Sequence, residues 1–419
     1  MNTIKINLMD INLQLFFAAT NKTTDSGLSD EMKTFYSDYL IDNAEPKLVH
    51  DQFGQKHPIP KNGGKQIEFR KYDPLPKLST PLSEGVTPTG QSLSMDVITA
   101  TVQQFGGFVE LSDMLLLTAI DNNLVMATKL IGSQAGRTLD TITREVLNGG
   151  TNVQYADERV SARHLLVGGS ATAANNHYMT VDAIRRAVRS LKNMNAETIG
   201  DSFVGIIHPD VSYDLMSDPK WVNVKTYSDP SGIYQGEIGK IENVRFVETS
   251  EAKIFSAANL LGSTRNLTVK TAISAPTGEV AVKETISAAQ ATALAGRKIL
   301  LNGLQYTIAS ASTSGVLTLA LGEMITTAAI NDVIYPGEAG AAGRTVYSTL
   351  ILADNAYGTT EITGGGLQHI VKQLGSAGTS DPLDQRATAG WKATKVAERL
   401  VEAFMRRIET AATFESAAN

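Results

Sequence analysis

The chain has 419 residues, 42% of them hydrophobic and 19% charged, with a formal net charge of −6. That is enough apolar material for roughly two or three cored domains and too little charge for a disordered chain. The acidic balance argues against a binder that neutralises phosphates with clustered base, and the absence of cysteine excludes disulfides, thiolate metal sites and cysteine nucleophiles.

Near the N-terminus, Leu13, Leu15, Phe16 and Phe17 are interrupted by Asp10, Asn12 and Gln14 and flanked only by Lys5. This reads as an arm and not as a secretory signal, whose apolar region is continuous. Residues 29–45 read as a helix closed by Pro46. The best apolar run, Leu115–Ile120, stops at Asp121, far short of the ~20 residues a bilayer requires.

Six of the thirteen prolines fall between Pro58 and Pro88. Lys65–Arg70 alternates polar and apolar before them, and Leu93, Met95 and Val97 alternate after them. Two strands joined by a proline-stiffened tip predict a long projecting loop. From Ser112 apolar residues recur at steps of three and four, through Leu117, Ile120, Leu124, Ala127, Ile131, Ala135, Leu139, Ile142 and Val146. That stripe predicts a helix of about 35 residues, roughly 50 Å long. Gly149-Gly150 is expected to stop it in a left-handed conformation, and Asp140 and Arg144 to pair on its exposed face.

Val181–Met194 reads as a second helix with Thr180 as N-cap. Its other side carries Arg185, Arg186, Arg189 and Lys192, read as a solvated basic face in preference to a patch for nucleic acid or a neighbour's acids, since no aromatics interleave. Phe203–Ile207 is a buried strand ending at His208, which is read as structural, and Asn243–Glu248 is another. Between 263 and 343 only ten residues are charged, and Asn302-Gly303 between apolar runs is a strong hairpin signal. Leu267–Val269, Val280–Val282, Val316–Leu321 and Val333–Tyr335 add short strands, so this stretch reads as a small inserted β-domain. Tyr347–Leu352 and Leu367–Val371 follow as strands. Residues 391–409 are read as strands, although Val396, Leu400, Phe404 and Ile408 also fit a helix.

No catalytic, cofactor-binding or metal-ligating residues stand out. The six histidines are scattered without the paired spacing of a zinc helix, and no P-loop, G-x-G-x-x-G after a strand, or G-x-S-x-G is present. The expectation is therefore a non-enzymatic protein without cofactor.

Four runs in order carry a family resemblance: Phe105-Gly106-Gly107-Phe108-Val109-Glu110-Leu111-Ser112-Asp113, Gly205-Ile206-Ile207-His208-Pro209-Asp210, Gly239 through Thr249, and Gly390-Trp391-Lys392-Ala393. In these the chain resembles the major capsid proteins of tailed bacteriophages, especially the N-four-like phage family, over roughly residues 30–260 and 345–415. The resemblance implies an α+β chain with the tailed-phage and herpesvirus capsid fold, first described in coliphage Hong Kong ninety-seven. It implies an N-terminal arm at 1–59, an extended projecting loop at 60–105, and a peripheral domain with a spine helix at 106–177. An axial domain would follow at 178–262 and return at 344–364 around the inserted β-rich domain at 263–343. Peripheral strands would end the chain at 365–419.

The implied function is self-assembly into hexamers and pentamers of an icosahedral shell in the virion, built in the host bacterial cytoplasm. The shell would enclose double-stranded DNA without sequence-specific binding. Expected partners are other copies of the chain, a portal, and scaffold or decoration proteins, with no membrane. Arg70, Lys71 and Glu84 are the candidate inter-subunit contacts. An alternative is a tail or adhesin-like surface-binding protein using the Ala/Thr/Ser-rich β-domain.

Overall fold

The computed structural model describes residues 20–21, 49–72, 74–82, 84–87, 89–118, 123–170, 172, 175–222, 239–375, 381 and 383–416. The helix expected at 29–45 and most of the expected arm lie outside the described residues. The chain divides into two compact units, one of residues 1–45, 57–139 and 360–396 and the other of residues 46–56, 140–359 and 397–419.

In the first unit, strand Gln103–Ser112 pairs antiparallel with strand Arg386–Arg399, in a register that sets Gly107 against Trp391 and Gly390 against Phe108. Two runs that carry the family resemblance are thus direct partners, nearly 300 residues apart in the chain. The glycines are required by close approach: a Cβ on Gly106 would lie 2.7 Å from the Trp391 carbonyl oxygen. Trp391 is buried and its indole Nε1 donates to Gln134 Oε1 at 3.2 Å. Strand Gln368–Lys372 pairs with the other side of Arg386–Arg399. Leu111, Leu115, Ile131, Ala135, Ala389 and Trp391 form this unit's core.

The single helix expected from Ser112 shows as two, Asp113–Thr118 and Asn123–Asn148, with residues 119–122 outside the described residues. The second has 26 residues, about 39 Å. Leu117 does not belong to the buried stripe and is 77% exposed. The helix end also differs from expectation, because neither Gly149 nor Gly150 has a positive φ. Instead the guanidinium of Arg399 donates to the Val146 carbonyl at 2.7 Å, and that of Arg407 donates to the Asn148 carbonyl. Two cations thereby satisfy the final orphan carbonyls and oppose the dipole. The glycines make room: a Cβ on Gly149 would lie 2.9 Å from Arg399 Nη1.

Asp140 and Arg144 are not an exposed pair either; both are buried. Asp140 accepts the backbone N–H of His50 at 2.8 Å and shares a 2.7 Å hydrogen bond with its Nδ1. Arg144 donates to the Glu251 carbonyl at 2.9 Å and to Glu145.

The second unit holds a seven-stranded sheet, with main order Val153–Tyr155, Met405–Thr410, Val346–Leu352, Phe203–Ile207, Val244–Glu248 and Lys240–Ile241, and Ile254–Phe255 also paired to Val346–Leu352. Phe203–Ile207 and Val346–Leu352 are buried at every position, the pattern of strands covered on both faces. One face packs under helices Val181–Asn193 and Pro209–Met216, where Ile184, Val188, Leu191, Phe203, Ile207, Leu215 and Ile351 meet. The other, through Ile206, Leu350, Leu352 and Met405, meets Val49, Leu147 and Tyr357. Each fully buried large apolar side chain contributes roughly 1.5–3 kcal/mol. Thr180 caps its helix as expected, its hydroxyl accepting from Ala183 N–H at 3.2 Å. Arg185 pairs with Glu242 and Arg186 with Glu158, so the basic face is partly neutralised by the chain's own acids.

Strands between Leu267 and Pro336 form their own six-stranded sheet. The edges close on each other through the Val269–Val282 bridge, with Lys283 N–H donating to the Thr268 carbonyl at 2.9 Å. The result is a small barrel with no open edge, filled by Leu267, Val280, Ile299, Leu301, Ile308, Leu317 and Ile334. Asn302 and Gly303 make its expected tight hairpin, with φ of 52° and 80°. Helix Ala288–Leu294 starts with a Ser287/Gln290 capping box and contributes Leu294 to the core. Arg297 ties the barrel to its flank by donating to the Ala258 and Asn259 carbonyls, each at 2.7 Å.

Candidate assembly interface

Strands Gln66–Tyr72 and Met95–Thr101 form a two-stranded antiparallel ribbon over seven residue pairs, joined by no third strand among the described residues. Its root is anchored: Val102 N–H donates to the Lys65 carbonyl at 2.8 Å, Ala100 and Val102 are buried, and the His57 ring meets Phe69 edge-on at 5.6 Å. Away from the root burial disappears. Tyr72, Leu75, Leu82 and Val86 are exposed, Leu78 is 81% exposed and Leu93 71%. A two-stranded ribbon is marginal alone in water, and a run of exposed large apolar residues along one is unfavourable unless a partner covers it. Prolines 74, 76 and 81 hold φ and remove donors, so the tip costs less entropy to order on binding.

Arg70 and Lys71 lie on this ribbon at consecutive positions, so they point to opposite faces. Arg70 makes an exposed 3.5 Å pair with Glu68, and Lys71 stands opposite Asp96. Glu84 lies in the connecting loop, exposed, beside Gly85 at φ 75°. The ribbon brings two of the three candidates together and leaves the third beyond its tip.

Strand Gln368–Lys372 is exposed at every position, including Ile370 and Val371, although the alternation of its residues carried no sign of this. Phe108 and Leu117 add exposed apolar surface in the same unit. Among the described residues no group of three or more His, Asp or Glu could hold a metal ion, and no helix is long and apolar enough to cross a membrane.

The histidines have local roles. His208 caps helix Pro209–Met216, its Nδ1 accepting the Asp210 N–H at 3.1 Å. Burial pushes its pKa below the usual histidine value, against the opposing pull of Asp210 and Glu248. His177 Nδ1 accepts from Val167 N–H at 2.9 Å, and burial lowers its pKa too.

Residues 116–314 match the model of a family described as phage capsid protein. Solved structures agree over almost the whole chain. A capsid structure of the cyanophage P-SCSP1u is 12% identical, with a TM-score of 0.54 over 94% of this chain and 98% of that one. The capsid of Ralstonia phage GP4 is 12% identical, with a TM-score of 0.54 over 95% and 100%. The capsid of cyanophage Pam1 is 12% identical, with a TM-score of 0.55 over 91% and 98%.

The chain has the fold of a phage capsid subunit.

No curated protein matches its sequence.

Proposed function

We propose that the chain is the major capsid protein of a tailed bacteriophage and self-assembles into hexamers and pentamers of an icosahedral shell around packaged double-stranded DNA. The observation that carries this reading, beside the fold, is the ribbon with its buried root and exposed apolar tip. Closed shells need heterologous contacts, in which one surface of a subunit meets a different surface of the next. A projecting ribbon supplies the first such surface.

In this reading residues 60–105 are the projecting loop that lies over a neighbour. The helix Asn123–Asn148 is the spine of a peripheral domain at 106–177, completed by 365–419. Residues 178–262 and 344–364 form the axial domain, and 263–343 is an insertion. Arg70, Lys71 and Glu84 tune the contact from its rim, where charges set register and rate more than affinity. Portal, scaffold and decoration proteins are the further partners, and assembly takes place in the bacterial cytoplasm. Within tailed phages the ordered motifs favour the N-four-like group. The role is structural, and the fold of the neighbours does not favour a tail or adhesin component.

The barrel would face outward, because inward projection would obstruct packed DNA. Limited trypsin treatment of assembled particles is expected to cut within 263–343. Resistance there in particles, with cleavage in free subunits, contradicts outward display. The reading as a whole is tested by sedimentation of the purified protein: megadalton particles or hexameric and pentameric rings support it, and trimers alone favour the adhesin-like alternative.

A further inference from the structure

A cleft of about 520 Å³ lies between the outer face of the barrel and the segments that hold His164 and Ala342. Strand geometry sets its floor. Leu300 stands directly opposite Tyr335 where Lys298–Leu301 pairs with Val333–Pro336. Residues two apart share a face, so Val333 stands beside Tyr335, while Ile299, Leu301 and Ile334 point into the barrel core. The floor is apolar and aromatic, and the rim is polar, with His164, Asn302 and Asp332.

The rim is organised in advance. Asn302 Nδ2 donates to the Thr327 carbonyl and to Asp332 Oδ2, each at 3.2 Å, and Asp332 Oδ2 also accepts from Ala329 N–H at 2.7 Å. Two half-buried groups are uncommitted: among the described residues neither the His164 ring nor the Tyr335 hydroxyl makes a hydrogen bond. Burial, then the nearby charge of Lys298, lowers the His164 pKa, so the ring is neutral at pH 7 and both donates and accepts.

We infer that this cleft is a binding site for a short neutral saccharide. A sugar ring has a face of C–H groups suited to Leu300, Val333 and the Tyr335 ring, and an edge of hydroxyls suited to His164, Asn302 and Asp332. The volume lies in the range of small-ligand sites. An anionic ligand would meet the Asp332 carboxylate, and a wholly apolar one would leave the His164 ring and the Tyr335 hydroxyl without partners on desolvation. The inference stands whether or not the chain builds a shell, since it rests only on the barrel and its immediate flank.

Saturation-transfer NMR on the full-length protein tests it, with maltose, cellobiose, lactose and chitobiose as probes and glucuronate as the acidic comparison. Transfer to at least one neutral disaccharide is expected. Its apparent Kd should rise at least about tenfold in Tyr335→Ala and in His164→Ala, the loss of a ring contact or a hydrogen bond, and stay unchanged in Leu321→Ser, an exposed barrel position outside the cleft. Should Tyr335→Ala fail to fold, Tyr335→Leu and His164→Gln remove the same aromatic ring and imidazole with less disruption. No transfer to any of the four disaccharides, equal affinity in the cleft variants, or a preference for glucuronate overturns the inference.

Discussion

Asp140 shows how enclosure changes what a residue does. Spacing alone puts it on a solvated helix face beside Arg144, yet it holds both the backbone N–H and the ring of His50 in a buried site. Asp140→Ala leaves those groups without a partner, and each buried unsatisfied group costs about 1–3 kcal/mol. The urea midpoint of Asp140→Ala should fall accordingly, by about 3 kcal/mol in unfolding free energy. An unchanged midpoint would show that the pair is relaxed by water.

His208 makes the second residue-scale prediction, through pH. Its cap requires an unprotonated Nδ1, and burial holds the folded-state pKa below the unfolded one. With a depressed folded pKa, its contribution is fully present above the unfolded value and is lost as pH falls through the folded one. Thermal stability should therefore decline between about pH 7 and pH 5. His208→Asn keeps a side-chain cap acceptor without titrating, and should flatten part of that decline. The remainder belongs to His164 and His177, whose pKa values burial also lowers. Equal slopes in the variant and the parent would remove His208 from the account.

Elements whose signals are local were legible in the sequence. Asn302-Gly303 predicted its hairpin because a two-residue loop favours a turn with positive φ at both positions, which Asn and Gly tolerate, and Thr180 predicted its cap. Phe203–Ile207 and Tyr347–Leu352 read as buried strands, and both lie in strands buried at every position. What was illegible depends on partners distant in sequence. The cation caps from Arg399 and Arg407 come from two strands some 250 residues downstream of the helix they close. Closure of the barrel by Val269 and Val282 is likewise a matter of register. Of the candidate site, alternation predicted the ribbon's strands, but alternation cannot tell a face covered by the same chain from one left for another. The exposure of Leu78 and Leu93 carries that information. Leu78→Ser with Leu93→Ser should change subunit stability by less than about 0.5 kcal/mol, as surface positions do, while abolishing assembly measured by light scattering. Loss of folding, or normal assembly, would contradict the role given to the ribbon.

On the scale of the whole molecule, a buried root, an exposed apolar tip and the capsid fold favour a subunit completed by its neighbours. Negative-stain electron microscopy of the purified protein tests that most directly. Closed shells, or hexameric and pentameric rings, are the predicted result, and the Leu78→Ser/Leu93→Ser variant should form none. Monodisperse dimers or trimers under every condition would contradict the account.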